Sequence, residues 1–267
     1  MGNNKSETNP DYLTPQRLGI KERDQPVIKL TVFIWILTVV AQLGSLAYST
    51  SSNGQEFGAV VFKSIIYLSL ITLPLSGLGI WLGRKIGLGA PLLSALLHYQ
   101  SGIIKTILHE IKKPLLLGII MGGAMLILRI AAAPYLPPEI PTYGHRGVIG
   151  GLLVSIGAAV GEEVWFRLGL MSILLWVVTR IAGHKSIPTS TAWLAIIFVA
   201  VIFAAVHLPQ LMSYGAGSPF AIWATIFGNS LVGIFFGWCY WRQSLIAAIA
   251  AHFSVDFVIH VLPAFFI

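Results

Sequence analysis

The chain has 267 residues, of which 56% are hydrophobic and 10% charged, with a formal net charge of +7 and a mean hydropathy of +0.81. Soluble domains are about a quarter charged, so this composition excludes an ordinary water-soluble fold and points to lipid as the solvent. The basic excess does not argue for nucleic acid, because Lys and Arg gather at the ends of apolar runs, where they act as orientation signals and meet anionic headgroups.

Residues 1–26 are polar and rich in Asn, Pro, Asp and Arg. They lack the apolar core of a secretory signal and are expected to form a disordered cytoplasmic tail. Residues 27–267 are expected to form a single membrane domain. Spans are predicted near 27–49, 57–83, 114–133, 148–180, 188–208, 219–241 and 244–266, each near or above the roughly 20 apolar residues that cross a bilayer. Lipid offers no partner to backbone N–H and C=O groups, so such runs must be helical. The fold class is all-α, a polytopic transmembrane helix bundle of about 7–8 spans.

Lys5, Arg17, Lys21, Arg23 and Lys29 flank the first span, and the loop at 49–56 has no Lys or Arg. Arg84, Lys85, Lys105, Lys112 and Lys113 precede the third span, which places the N terminus in the cytoplasm. The segment QSGIIKTILHEIKK, 100–113, gathers Ile103, Ile104, Ile107, Leu108 and Ile111 on one face and reads as an interfacial amphipathic helix, or else as a plain connector. Pro74 is expected to kink the second span. Glycines recur four apart at Gly79 and Gly83, Gly118 and Gly122, Gly147 and Gly151, Gly157 and Gly161, and Gly233 and Gly237, a spacing that lets helix backbones approach. The run 148–180 would be about 50 Å long as one helix, so a break near Gly161 is expected. Cys239 stands alone, which excludes an intrachain disulfide and a cysteine metal cluster.

Of ten acids, Glu162, Glu163 and Asp256 sit inside apolar spans. A charged group near the bilayer centre costs about 2.5–3.5 kcal/mol, and neither helix propensity nor packing offsets that. In GEEVWFR, Glu163 and Arg167 are i, i+4 and can pair, while Glu162 lies about 100° round the helix. Arg167 would then neutralise Glu163 and leave Glu162 facing the bundle interior, available for proton transfer. FAAVHLP places Phe203 and His207 four apart, HFSVD places His252 and Asp256 four apart, and His260 continues that face. Each element also has a purely structural reading: a buried ion pair, an interfacial histidine beside Pro209, a helix-locking pair. Together they would require several unrelated accidents in the final half of the chain.

The ordered set GEEVWFR, FAAVHLPQ and HFSVD resembles the CPBP family of intramembrane proteases, which includes the CAAX prenyl endopeptidases and prokaryotic proteins linked to bacteriocin processing or self-immunity. The likeness rests on EExxxR, FxxxH and HxxxN/D, each on an apolar helix, and covers about residues 145–260. It implies that Glu162 is the catalytic glutamate and that Glu163 and Arg167 are its paired acid and arginine. His207 would be the first histidine, His252 and Asp256 the second pair, and Phe203 the aromatic that shapes the site. Prenyl endopeptidases carry Asn where Asp256 stands. An amide can donate to an oxyanion and an ionised Asp cannot, so Asp256 either orients His252 or acts in its protonated form.

What the resemblance implies is hydrolysis of a peptide bond in a membrane-associated protein or peptide. Glu162 and His207 would activate water, and His252 with Asp256 would stabilise the oxyanion. Zinc is not required by the sequence, since HExxH is absent; if a metal is present, its ligands would be Glu162, His207 and His252. The expected location is the plasma membrane of a prokaryote, with lipid and a membrane-associated substrate as partners and no nucleic acid. Two alternatives stand beside it: a non-catalytic scaffold or self-immunity protein, and a proton-coupled transporter, against which the lack of inverted repeats counts. One crossing per span puts His207 near the outer end of its helix and His252 about 12 Å from the inner end of its own. The two histidines then meet only if helices are offset, tilted or broken.

Overall fold

The computed structural model describes residues 25–266. The tail expected at 1–26 lies, apart from Gln25 and Pro26, outside the described residues. The α-helices are α1 (Val27–Ser52), α2 (Phe57–Gly83), α3 (Pro91–Leu97), α4 (Ile103–Glu110), α5 (Lys112–Ala132), α6 (Gly147–Glu162), α7 (Ser172–Ile181), α8 (Thr189–Ala205), α9 (Leu208–Ser213), α10 (Pro219–Arg242) and α11 (Leu245–Asp256). No strand occurs among the described residues. Seven stretches are long and apolar enough to cross a membrane: Val27–Ser52, Phe57–Gly83, Ile103–Tyr135, Gly147–Ile181, Thr189–Ser213, Pro219–Arg242 and Leu245–Phe265. The fold is a polytopic all-α bundle.

Large apolar side chains such as Phe62, Leu70, Ile127, Leu194 and Trp223 face outward, and a second set, including Leu30, Ile80, Leu168, Phe203 and Phe236, is buried. Apolar residues on both sides are what a helix needs when its surroundings are hydrocarbon rather than water. α8 runs along α10, α5 along α11, and α1 against both α2 and α6. Small residues set these distances. A Cβ on Gly118 would lie 2.6 Å from Ala251 O, and one on Gly79 would collide with Leu168 O, so only glycine allows α5 to meet α11 and α2 to meet the helix that follows α6.

Three expectations change in detail. The amphipathic helix occupies Ile103–Glu110 rather than 100–113, and only Ile111 separates it from α5. Pro114 sits in the first turn of α5, where its missing N–H is no loss, so α5 starts before the expected span. The 147–181 run does not break near Gly161. It continues as a π-helix over Glu163–Met171, and a second π segment, Phe257–Val261, follows α11. An extra residue per turn rotates the side chains that follow while keeping the backbone bonded, which lipid demands.

The turn from α10 to α11 is short and capped. Ser244 Oγ accepts a hydrogen bond from Ala247 N at 3.1 Å, which starts α11 directly after Gln243 and lays it beside α10. That hairpin brings Phe236 and His252 to the same depth.

Candidate active site

Glu162 ends α6 and Glu163 opens the π segment, so the adjacent acids leave one helix in different directions. Glu163 is fully buried. Its Oε2 lies 3.3 Å from Arg167 Nε, the i, i+4 pair expected from the sequence. Its Oε1 accepts a hydrogen bond of 2.8 Å from His252 Nδ1. One carboxylate thus holds a cation on its own helix and an imidazole on α11.

Arg167 is equally deep. Its Nη2 donates to the Gly233 carbonyl at 3.0 Å, and its guanidinium lies 4.8 Å from the Phe203 ring centroid and 5.5 Å from that of Phe236. Nη1 has no hydrogen-bond acceptor. The two aromatic faces supply the electrostatic partner in its place.

His252 stacks on Phe236, with centroids 4.4 Å apart and planes at 12°, and meets Phe203 nearly edge-on at 6.1 Å. Arg167 keeps Glu163 an acceptor, so the hydrogen of this bond sits on His252 Nδ1 and Nε2 is the working edge. Nε2 faces Asp256 Oδ2 at 3.6 Å and Glu162 Oε2 at 3.9 Å. Both are beyond direct hydrogen-bond reach. The side chains of Glu162 and Asp256 are 23% and 14% exposed, against 0% and 1% for Glu163 and Arg167. An incoming reagent can reach the first pair and not the second.

His207 lies in the turn between α8 and α9. Its Nδ1 donates to the Phe203 carbonyl at 2.7 Å, which fixes a hydrogen there and presents Nε2. Among the described residues no hydrogen bond or ion pair joins His207 to Glu162. It reaches the cluster through Phe203, whose ring lies 4.8 Å from that of His207. His260, one turn beyond Asp256, packs edge-on against Tyr143 at 6.2 Å.

The structure therefore gathers Glu162, Glu163, Arg167, His252 and Asp256 directly, and His207 by way of Phe203. Sequence reading missed Phe236 and Gly233, which support His252 and Arg167. Nothing in LVGIFFGWCYW (231–241) marks either one, since Phe and Gly are common in membrane helices. Among the described residues no group of three or more His, Cys, Asp or Glu is placed to hold a metal ion. His252 Nδ1 is held by Glu163 and His207 Nδ1 by a backbone carbonyl, which leaves both Nε2 atoms free, but Glu162, His207 and His252 are not gathered as a ligand set.

Residues 145–258 match the family described as type II CAAX prenyl endopeptidase, Rce1-like. Neither the curated proteins nor the solved structures contain a match. The matched segment runs from the start of α6 past Asp256, and so includes every acid and histidine of the buried cluster. The segment that holds the buried cluster is thus a domain that matches the Rce1-like type II CAAX prenyl endopeptidases, which supports a membrane protease at family level.

Proposed function

We propose that this membrane protease cleaves a membrane-associated protein or peptide with a water activated by Glu162. The observation that carries the reading is the setting of His252, whose Nδ1 is held by buried Glu163 and whose Nε2 faces the two accessible carboxylates, Glu162 and Asp256. Water between Glu162 and the scissile carbonyl gives its proton to Glu162 as its oxygen bonds to the carbonyl carbon. His252, protonated on both nitrogens, donates from Nε2 to the oxyanion. Glu162 then passes its proton to the leaving nitrogen, the C–N bond breaks, and a carboxylic acid and an amine form, the acid proton passing to the amine as the products depart as carboxylate and ammonium.

Asp256 lies nearer to Nε2 than Glu162 does and aims the ring. His207, with Nδ1 committed to Phe203, offers Nε2 to the same water. The site lies among apolar helices, which suits a substrate that arrives along lipid, and the host membrane in this reading is the plasma membrane of a prokaryote.

The test compares protein termini in membranes of cells carrying wild type or Glu162→Gln at matched expression. The expected result is loss of at least one terminus, with cleavage down about 100-fold or more. An unchanged set of termini with the variant folded in the membrane would remove Glu162 from the chemistry.

A further inference from the structure

Asn229 stands near the middle of α10, a span otherwise rich in Phe, Ile and Gly. A membrane helix that carries an amide commonly uses it as glue, bonding it to a neighbouring helix. Asn229 does not act in this way. Its Nδ2 donates to the Thr225 carbonyl of its own helix at 2.9 Å, and among the described residues it bonds to no other helix. Its Oδ1 accepts nothing there and is not sealed inside the protein, since the residue is partly exposed.

The direction of the amide follows from helical periodicity. Gly233 lies about one turn further along α10 and Phe236 about two, within about 40° and about 20° of Asn229 round the axis. Both touch the catalytic cluster: the Gly233 carbonyl accepts from Arg167 at 3.0 Å, and the Phe236 ring stacks on His252. Ile222, about two turns the other way on the same face, joins Leu211 of α9 and Leu136 of the α5–α6 connection in one apolar cluster. The outward-facing Trp223 and Phe227, 70% and 60% exposed, lie about 120° and about 160° away. Asn229 therefore points inward, between the catalytic cluster and the layer that caps it, and its partial exposure opens on that interior space.

A peptide bond that water can attack beside Glu162 has left the helical state. Inside hydrocarbon, the N–H and C=O groups on either side of it then need new partners. A carboxamide with a free oxygen and a remaining N–H can serve a peptide N–H and C=O together, as a neighbouring strand does in a sheet. Asn229 is about 6 Å along the axis from Gly233 and about 10 Å from Phe236, and an extended chain advances about 3.3 Å per residue. The geometry points to Asn229 as a substrate-binding residue that holds the backbone of the cleaved chain in extended form, about two or three residues from the scissile bond. This assignment rests on the proposed proteolysis at the cluster but not on which group activates the water.

The probe is a synthetic peptide spanning a terminus that cells carrying the wild-type chain produce and cells without it lack. With the full chain in detergent, Asn229→Leu, which keeps the size and removes the amide, should lower kcat/KM roughly tenfold, mainly through KM, and leave the thermal midpoint unchanged. Replacing single backbone amides of the probe by esters removes one N–H at a time. An ester about two or three residues from the cleaved bond should cost the wild type roughly tenfold and Asn229→Leu nothing further. Equal ester losses in the two proteins, an unchanged kcat/KM, or a lower thermal midpoint with KM unchanged would overturn the proposal, the last by making Asn229 a helix-packing residue. If Asn229→Leu does not fold, the ester scan on the wild type decides: a loss confined to those positions supports the proposal and its absence overturns it. Glu162→Gln on the same probe tests the other reading, since cleavage at the wild-type rate would remove Glu162 from the chemistry and leave the Asn229 result standing.

Discussion

Glu162 and Glu163 are neighbours in sequence with opposite surroundings, and in the proposed mechanism that contrast separates chemistry from support. Glu163 is fully buried between Arg167 and His252, so Glu163→Gln leaves a guanidinium in the interior without its counter-charge. Breaking one side of a buried pair costs about 3–5 kcal/mol, and a clear drop in thermal stability of the purified protein is expected. Glu162, with its side chain 23% exposed, has no such duty. Glu162→Gln should hold stability within about 1 kcal/mol while abolishing cleavage. If thermal unfolding in detergent gave the reverse order, the two roles would be exchanged. The Glu163–Arg167 pair was legible because helical periodicity alone sets i, i+4 neighbours. The bond from His252 to Glu163 joins residues 89 apart, a distance no spacing rule reaches, and so His252 was paired only with Asp256 on its own helix. Phe236, stacked on His252, lay hidden for the same reason.

Among the elements, the spans were readable because length and apolarity are what a bilayer demands, and each predicted span overlaps a helical stretch long and apolar enough to cross. The π segments were not, since a change of helical pitch leaves no compositional mark in residues 163–171. The expected break near Gly161 had a sound premise, the excess length, but lipid penalises unpaired backbone and the chain absorbs the strain within a bonded helix. The glycine pairs divide on contact. Gly118 and Gly122 both press on α11, and Gly233 and Gly237 both press on α8, whereas Gly147 meets nothing within 4 Å and opens α6 at φ +68°. Two substitutions separate packing from mere composition. Gly79→Ala places a Cβ against the Leu168 carbonyl and should cost about 1–3 kcal/mol by pushing α2 off the π segment that carries Arg167. Gly123→Ala meets nothing within 4 Å and should be neutral or gain about 0.5–1 kcal/mol. Thermal unfolding of the two variants checks this, and equal midpoints would mean that close approach at Gly79 does not hold the bundle.

For the whole molecule, the apparent conflict of depth between His207 and His252 resolves through side-chain direction. Helical side chains lean toward the N-terminus of their own helix, so Phe203 on α8 reaches back toward the level of Phe236 and His252, with ring centroids 6.5 and 6.1 Å away. α8 ends at Ala205, so His207 sits in the turn that follows it, and the Phe203 ring covers the interval to His252. If all seven candidate spans cross with the basic clusters inside, every loop has a side: Arg84, Lys85, Arg180, Lys185 and Arg242 would share the cytoplasmic face, and Asn53 and Ser213 would lie opposite. The one native cysteine, Cys239, is buried, so single exposed cysteines report without background. An impermeant maleimide added to intact cells should label Asn53→Cys and Ser213→Cys at once, and Lys185→Cys only after the membrane is opened. Reversal of all three would invert the orientation and leave the span count intact. Labelling of Ser213→Cys and Lys185→Cys from one side would mean that Thr189–Ser213 does not cross, and would move His207 away from the depth at which Phe203 joins it to the buried acids.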